Sequence, residues 1–582
     1  GASLRPEGRE KAEAGRQKNI MKGISYTPMP LQEEATGRLP QDDFATQRTA
    51  ALWGPEGRGD LAVIRSLGAN VVRVYGNDLD DDHQPFLDEA QAQGLQVVSG
   101  ISDRPYIHFD GSCVETNFSC YRQIKEQYLK VLSTGFLLAN KTYHPAVRAV
   151  VVINEPDLMF SPITEQWRWC KAVVSAVDGV LDAENIAGVQ GPKPNLTVAL
   201  SYSLCGRSCR RFRDQPALGQ MEELRQAFLA PERVGYSPQN HLGHAYQERF
   251  ENSVNTKNPA GGKDGVRQLF LEHYNKAFNA TPVFLGEYHT PQVSGAPWAS
   301  KVDLAKDLAA ILAAAEDPSS MLSGVVFHEF QARYDRGGEQ LAFGLFGLGD
   351  RANATFEIDG GKFTAWCLVP MGLPKEVETC GRTEGGVNYE VNTTWLFHME
   401  DVPTPSLCCA KCTELPRCKA WTWLEDAGLD GCSGAALHRA AEGRRLDASG
   451  RGLPRAPCCG ALQADAGGKT CGERIAGLVN TTGVSFSSAR TKVAREHPTA
   501  CGICGERSTS RCWLKGALPH GKEPMEGSVS GLPVPVPEPS QLGPLMPTVV
   551  AEAFGGRGLA SDDVRLCRAS RVQFLAPRNL MG

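Results

Sequence analysis

The feature that most constrains the fold is an alternation of short apolar segments with amphipathic stretches across residues 22–330. The apolar segments are rich in Val, Ile and Leu, which is typical of parallel strands buried on both faces. Predicted strands lie at 22–28, 70–76, 95–101, 149–153, 196–202, 241–246, 282–287 and 323–330. Predicted helices lie at 59–68, 83–93, 116–140, 164–182, 215–229, 264–278 and 301–315. This alternation predicts an α/β fold, a (β/α)8 TIM barrel. An open doubly wound sheet is the alternative, but no Gly-rich phosphate loop follows a strand.

Two of the predicted strands end in a glutamate. Residues 149–157 read Ala-Val-Val-Val-Ile-Asn-Glu-Pro-Asp, and proline stops the strand because it has no N–H for the ladder. Residues 281–289 read Thr-Pro-Val-Phe-Leu-Gly-Glu-Tyr-His. Either glutamate alone could be a solvated residue in a strand-to-loop turn. Two of them at the ends of barrel strands predict the carboxylate pair of a glycosidase.

A retaining glycosidase needs one carboxylic acid to protonate the leaving oxygen and a second carboxylate, about 5–5.5 Å away, to attack the anomeric carbon. Strands four and seven of a closed barrel can bring two side chains that close across its mouth. We assign Glu155 as acid/base and Glu287 as nucleophile. Asn154 is expected to hydrogen-bond the sugar 2-hydroxyl, a contact that strengthens in the transition state. This chemistry requires no metal or organic cofactor.

The composition changes along the chain and predicts its domain boundaries. Five of the 19 cysteines precede residue 350 and 14 follow it. This distribution predicts that the region after residue 350 contains a domain stabilised by disulfides. Zinc is the alternative for Cys408-Cys409-x-x-Cys412 and Cys501-x-x-Cys504, but neighbouring histidines lack ligand spacing. The predicted units are a disordered lead-in at 1–21, a catalytic barrel at 22–365, a cysteine-rich domain at 378–531, a Pro-rich linker at 532–547 and a tail at 548–582.

The chain carries features expected of the secretory route. Seven Asn-x-Ser/Thr sequons begin at Asn117, Asn140, Asn195, Asn279, Asn353, Asn392 and Asn480. Sequons beside a cysteine-rich module favour a secreted or cell-surface glycoprotein. The polar opening without Met or a signal peptide suggests a fragment or a processed chain, and the absence of an 18-residue apolar run predicts no transmembrane segment. A net charge of -5 and a pI near 6.2 give no excess of basic residues of the kind that nucleic-acid-binding proteins carry.

Arg-Val-Tyr at a strand end, Asn-Glu-Pro and Gly-Glu-Tyr together resemble the clan A retaining glycoside hydrolases. Residues 57–92, with Leu-Gly-Ala-Asn-Val-Val-Arg-Val-Tyr and the acidic run after it, are similar to the fungal β-1,3-glucanosyltransferase family. Val-Val-Phe-His-Glu-Phe-Gln at 325–331 and Phe-Gly-Leu at 343–345 resemble its eighth strand and following loop. The resemblance covers about residues 22–350.

This resemblance implies that Arg73 and Tyr75 lie near the -1 sugar, beside Asn154, Glu155 and Glu287. Arg73 could instead serve only as an ion-pair partner of either glutamate. Five further substrate-site candidates each have a structural alternative: His244 as a packed histidine, Tyr246 and Tyr288 as core aromatics, and His328 and Glu329 as packed polar residues of strand eight.

Two departures affect what the resemblance implies. The fungal family usually has a residue other than Pro after its acid/base Glu, and Asn-Glu-Pro is closer to cellulase- and mannanase-like members of the clan. This departure bears on the substrate rather than on the mechanism. The second departure is the C-terminal module, which here resembles a PAN/apple domain over 387–531, with an insertion around 433–500. That resemblance implies a small disulfide-bonded fold that binds carbohydrate or protein.

The sequence predicts a secreted retaining glycosidase or transglycosylase acting on β-glucan or a related cell-wall polysaccharide, with a β-1,3-glucanosyltransferase as the first reading. A β-1,3-glucanase or another endo-β-glycanase of clan A is the alternative. An inactive glycan-binding receptor is a further alternative, and the two intact glutamates argue against it.

Overall fold

A computed structural model describes most of the first 371 residues and parts of the remainder. The described segments are 18–30, 43–76, 79–107, 111–160, 163–262, 265–288, 303–333, 343–358, 361–371, 383–390, 395–400, 420–424, 511–515, 521–531 and 545–558, together with a few single positions between 408 and 493. Within these segments the chain divides into two compact units. The first contains the described residues between 18 and 371 together with 545–558, and the second contains the described residues between 383 and 531.

The first unit is a closed barrel of eight parallel strands in sequence order, which confirms the predicted (β/α)8 fold. Its strands are β1 Met21–Ser25, β2 Val71–Val74, β3 Gln96–Gly100, β4 Val147–Asn154, β5 Asn195–Ser201, β6 Asn252–Thr256, β7 Val283–Tyr288 and β8 Leu322–Phe327. Side chains from β1, β2, β3, β4, β5, β7 and β8 fill the interior, which is the packed core expected of such a barrel.

Helices follow the strands on the outside of the barrel. They are α1 Ala50–Trp53, α2 Asp60–Ser66, α3 Gln84–Ala92, α4 Arg104–Ile107, α5 Tyr121–Val131, α6 Pro156–Met159, α7 Gln166–Ala187, α8 Leu218–Leu229, α9 Leu242–Arg249, α10 Glu272–Ala277, α11 Leu304–Glu316 and α12 Met546–Phe554. Leu132–Phe136 and Arg267–Leu271 are π-helical turns next to α5 and α10. No helix in the described segments is both long and apolar enough to cross a membrane.

The prediction of strand six at 241–246 is wrong, because these residues begin helix α9. The His241 ring accepts a hydrogen bond from the His244 amide, which caps the helix start. Tyr246 packs its ring against Phe228 and Phe250, at centroid distances of 5.2 and 5.1 Å. The real strand, β6, reads Asn-Ser-Val-Asn-Thr, and its polar side chains are buried. It therefore lacks the apolar run by which the other strands were recognised.

An antiparallel hairpin follows the barrel, formed by β9 Phe346–Ile358 and β10 Gly361–Pro370. The chain later returns to the same unit with α12. The Met546 amide donates to the Met371 carbonyl, and the Lys22 ammonium donates to the Phe554 carbonyl at 2.9 Å. The predicted boundary between a linker at 532–547 and a tail at 548–582 falls inside this helix, which packs against the barrel.

The second unit contains a five-stranded antiparallel sheet in the order β11-β15-β13-β14-β12. Its strands are β11 Thr383–Glu390, β12 Trp395–Glu400, β13 Ala420–Leu424, β14 Arg511–Lys515 and β15 Gly521–Gly531. Cys412 and Cys418 form a disulfide, and Cys408 is also disulfide-bonded, which favours the disulfide interpretation of this region over zinc. Cys409, Cys501 and Cys504 lie outside the described residues. The assignment to the PAN/apple fold stays a prediction.

Candidate active site

Each of the two glutamate-bearing strands carries an extra residue just before its polar end. Along β4, Val151 pairs with Thr197 and Ile153 with Val198, so Val152 is left over. Along β7, Leu285 pairs with Val254 and Glu287 with Asn255, so Gly286 is left over. Val151 and Phe284 point into the barrel core, and strict alternation from them would direct residues 154 and 287 outward. The two β-bulges reverse this and bring Asn154 and Glu287 to the inside of the mouth.

A buried arginine connects the two strand ends. Arg73, on β2, is 1% exposed. Its Nη2 donates to Asn154 Oδ1 at 2.8 Å and its Nη1 donates to the Gly286 carbonyl at 2.6 Å. The guanidinium also lies over the Tyr75 ring, with Cζ 4.6 Å from the centroid. Because the planar fork of arginine presents several donors in a fixed geometry, this residue sets the spacing of β4 and β7 at the mouth.

Glu287 is paired with this arginine. Arg73 Nη2 lies 3.4 Å from Glu287 Oε1, and the glutamate is 8% exposed. A guanidinium at this distance stabilises the ionised carboxylate in a site from which most water is excluded. An ionised carboxylate that is held in place and partly desolvated is suited to nucleophilic attack.

Glu155 has different surroundings. Its backbone is left-handed, with φ 48° and ψ 51°, and its amide donates to the Ala199 carbonyl of β5 at 2.7 Å. Its Oε1 accepts a hydrogen bond from Asn255 Nδ2 at 3.1 Å. Burial, followed by the negative charge of Glu287, raises the pKa of Glu155 to about 7. One carboxyl thus has a raised affinity for its proton while the other is paired with a guanidinium, which is the division that an acid and a nucleophile need.

Asp157 fixes the short helix that follows Glu155. This carboxylate is fully buried and accepts hydrogen bonds from the Ser201 amide at 3.1 Å and from the Ser201 hydroxyl at 2.5 Å. Helix α6 is thereby tied to the end of β5. Since Glu155 immediately precedes α6, this contact holds the glutamate in its left-handed conformation.

Tyr75, His328 and Glu329 form a hydrogen-bonded group on the other side of Arg73. The Tyr75 hydroxyl donates to Ser25 Oγ at 3.0 Å and lies 3.2 Å from His328 Nδ1. His328 Nε2 lies 3.4 Å from Glu329 Oε1, and the Thr27 hydroxyl donates to Glu329 Oε2. Burial lowers the pKa of His328, but the charge and hydrogen bond of Glu329 together with the charge of Glu287 outweigh it, and the net shift of the pKa is upward. The structure thus brings these three predicted residues to the same end of the barrel as Glu287.

The other three predicted substrate-binding residues lie elsewhere. His244 sits on α9 beside Asn185 and Lys193, which precede β5 and so lie at the opposite end of the barrel. Tyr246 is buried in the aromatic cluster between α8 and α9. Tyr288 directs its hydroxyl to Asp307 of α11, between the strand and helix layers. His244 and Tyr246 were misplaced together with strand six, and Tyr288 points outward because its neighbour Glu287 points inward.

Asn255 and Asp157 belong to this site but are not among the residues predicted from the sequence. Asn255 Nδ2 also donates to Asn154 Oδ1 at 3.2 Å, so one amide contacts both members of the Asn-Glu pair. The pattern does not indicate Asn255, because strand six is predicted at 241–246 whereas Asn255 lies on β6. Asp157 is present in the Asn-Glu-Pro-Asp motif, but no local pattern shows that it bonds to a residue 44 positions later.

No metal site is apparent at this mouth. Among the described residues, no three His, Cys, Asp or Glu side chains are grouped so that they could hold a metal ion. The arrangement at the ends of β4 and β7 consists of two carboxylates, two amides and a guanidinium. Chemically it can donate a proton, attack an electrophilic carbon and hydrogen-bond a hydroxyl.

Comparison with known proteins gave matches only among solved structures. No family model matches the chain, and no curated protein matches it. Saccharomyces cerevisiae Gas2p in complex with laminaripentaose is 17% identical, with a TM-score of 0.37, over 60% of this chain and 63% of that one. Gas2 in complex with a compound numbered 6 is 17% identical, with a TM-score of 0.38, over 60% and 64%. The chain thus spans less than two thirds of these matched structures.

Proposed function

We propose that this protein is a retaining glycosidase or transglycosylase that acts on β-glucan by double displacement. The observation that carries the proposal is the unequal pair of glutamates at the carboxyl ends of β4 and β7. Glu155 has a pKa raised to about 7, whereas Glu287 is paired with a guanidinium. Catalytic residues of TIM barrels lie at this end of the strands.

In the first step Glu287 attacks the anomeric carbon of the -1 sugar. The bond from that carbon to the glycosidic oxygen breaks as the bond to Glu287 Oε forms, and Glu155 gives its proton to the departing oxygen. Asn154 is held by Arg73 and Asn255 and directs its amide group toward the sugar 2-hydroxyl. That contact strengthens as positive charge develops at the anomeric carbon.

In the second step an acceptor hydroxyl attacks the glycosyl-enzyme ester. Glu155, now a carboxylate, takes the acceptor proton while the bond between the sugar and Glu287 breaks. Water as acceptor gives hydrolysis, and the hydroxyl of another glucan gives transfer. Which outcome prevails depends on how well the acceptor side of the cleft binds sugar.

The proposed substrate is a β-1,3-glucan, and the proposed activity is that of a β-1,3-glucanosyltransferase. This choice is supported by the sequence resemblance around Arg73, Tyr75 and the two glutamate motifs. Secretion is proposed from the sequons, and the disulfides Cys113–Cys120 and Cys205–Cys209 of the barrel agree with an oxidising compartment. The cysteine-rich unit is proposed to be a PAN/apple-like module for carbohydrate or protein.

Incubation with a reduced-end-labelled laminari-oligosaccharide of defined length tests this proposal. Initial-rate products should keep the β configuration by NMR, and products longer than the substrate should accompany shorter ones. Shorter products alone would make the protein a β-1,3-glucanase. No turnover of laminari-oligosaccharides or of other β-glycans would reject the enzymatic proposal in favour of a glycan-binding role.

A further inference from the structure

Large apolar side chains are exposed on one sector of the barrel face that carries the glutamates. Trp167 is 40% exposed, Leu158 is 48% exposed and Leu204 is 55% exposed. They belong to the loops and helices that follow β4 and β5, and Val114, 45% exposed, belongs to the loop after β3. All of these segments leave the carboxyl ends of adjacent strands. They therefore share the face on which Glu155 lies.

Phe118 and Trp167 form the centre of this sector. Their ring centroids lie 5.4 Å apart and the rings are perpendicular. The Arg168 guanidinium lies over both rings, 5.3 Å from the Phe118 centroid and 5.7 Å from the Trp167 centroid. We call Phe118 and Trp167 the aromatic platform.

The platform is held by an unusual turn. Asn117 and Phe118 are consecutive non-glycine residues with positive φ, 55° and 60°. L-residues with side chains rarely adopt this conformation, and it persists only where the surroundings impose it. Here the Cys113–Cys120 disulfide closes the loop that contains both residues. The loop thus keeps the Phe118 ring against Trp167 rather than burying it elsewhere.

A chain of ring contacts connects the platform to the segments on either side of Glu155. Phe118 packs edge-on against Phe160 at 5.8 Å, and Phe160 follows helix α6, which begins directly after Glu155. Phe160 in turn contacts Tyr106, whose hydroxyl donates to the Val152 carbonyl of β4 at 2.6 Å. The platform is therefore continuous with the strand end that carries the proposed acid.

The position of the proposed acid, Glu155, determines which half of the glucan lies beside the platform. Glu155 must reach the glycosidic oxygen that leaves, so the departing half of the chain extends from the Glu155 side of the cleft. Faces of pyranose rings are apolar, and exposed aromatic rings bind such faces by area burial and by contact with the ring π-system. We infer that the Phe118–Trp167 platform is an acceptor subsite, which binds the leaving glucan in the first step and the incoming glucan in the second.

This inference rests on the proposed glycosidase function, but binding can be measured without turnover. Glu287→Gln keeps the shape of the site and removes the nucleophile. In that background, Trp167→Ala should weaken the binding of laminarihexaose about fivefold by calorimetry, and Phe118→Leu should weaken it by less. Ile186→Ala is the matched control, since Ile186 is 59% exposed at the other end of the same helix. N-glycans are trimmed first, because Asn117 begins a sequon beside Phe118.

In the enzyme with Glu287 intact, Trp167→Ala should lower the ratio of transfer to hydrolysis about fivefold. The control variant Ile186→Ala should leave this ratio unchanged. Equal laminarihexaose affinities with and without Trp167 in the Glu287→Gln background would overturn the platform inference. Loss of affinity without any turnover by the wild-type protein would retain the platform as a glycan site and reject the glycosidase proposal.

Discussion

The carboxyl ends of β4 and β7 are built alike but present their glutamates differently. Each strand has one bulge that redirects its polar end, and each delivers a glutamate to the mouth. Glu287 remains within its strand beside the Arg73 guanidinium. Glu155 has left the strand conformation, accepts a hydrogen bond from the neutral amide of Asn255 and has a pKa raised to about 7. The difference agrees with the opposite roles proposed for the two glutamates: a guanidinium pairs with Glu287, whereas burial and the charge of Glu287 raise the pKa of Glu155.

The largest expected effect comes from removing the carboxylate on the β7 side. Glu287→Gln should lower kcat on laminari-oligosaccharides by on the order of 10⁴-fold, because no glycosyl-enzyme can form. Ligand binding should persist, since the amide has the same shape. Retained turnover, measured by reducing-end release, would show that another group is the nucleophile.

Removing the carboxyl of Glu155, at the end of β4, should reduce turnover of one kind of substrate much more than turnover of another. Glu155→Ala should reduce kcat/KM for natural glucans by about 10²–10⁴-fold but spare kcat/KM for dinitrophenyl glucosides, whose leaving groups need no proton. The comparison uses kcat/KM because it reports the first step alone. Equal losses on both substrates would contradict the assignment of Glu155 as acid.

The β7 bulge can be disturbed without changing any polar group. A Cβ at Gly286 would lie 2.3 Å from Ser253 Oγ and 3.0 Å from both Arg73 Nη1 and Asn255 Oδ1, so Gly286→Ala must displace the Ser253 hydroxyl or the strand and crowds Arg73 and Asn255. A displacement of about 1 Å at the site should cost about 10²-fold in kcat. Gly243→Ala is the control, because on α9 its nearest neighbours would be at 3.7 Å. Unchanged kcat in Gly286→Ala would show that the bulge geometry does not matter.

The smallest predicted effect is a shift in pH dependence. The acid must be protonated, so kcat/KM should fall as pH rises through about 7. The negative charge of Asp157 contributes to the raised pKa of Glu155, although burial and Glu287 contribute more. Asp157→Asn should therefore move the alkaline limb to lower pH by a fraction of a unit. A shift to higher pH would contradict the electrostatic explanation.

Most of the barrel could be predicted because seven of its strands have apolar residues that fill the core or face the helices. Strand β6 could not, since its buried side chains are Asn, Ser and Thr, whose hydrogen bonds depend on distant partners. Asn252, for example, donates to the Tyr274 hydroxyl on α10. Helix α12 was missed for a similar reason, because it is stabilised by contacts with residues far away in the chain, such as Lys22.

The candidate site was predictable in its glutamates but not in their geometry. Asn-Glu-Pro and Gly-Glu-Tyr show that two strands end in carboxylates. Arg73 is predicted to lie near them from the Arg-Val-Tyr motif at the end of its own strand. The alternation of inward and outward side chains along a strand does not indicate the bulges at Val152 and Gly286. They decide that Asn154 and Glu287 face inward and that Tyr288 faces Asp307. The raised pKa of Glu155 depends on burial and on the charges of Glu287 and Asp157, which outweigh the lowering effect of the Asn255 hydrogen bond, and these groups meet only in the folded barrel.

The most direct test is to trap the glycosyl-enzyme with a 2-deoxy-2-fluoro glucoside that carries an activated leaving group. The fluorine slows both steps, and the leaving group allows the first to proceed, so the intermediate accumulates. Mass spectrometry of the digested protein should find one sugar attached to the peptide that contains Glu287. A label on Glu155 or on another residue, or turnover with inversion and no label, would contradict the assignment of roles at the two strand ends.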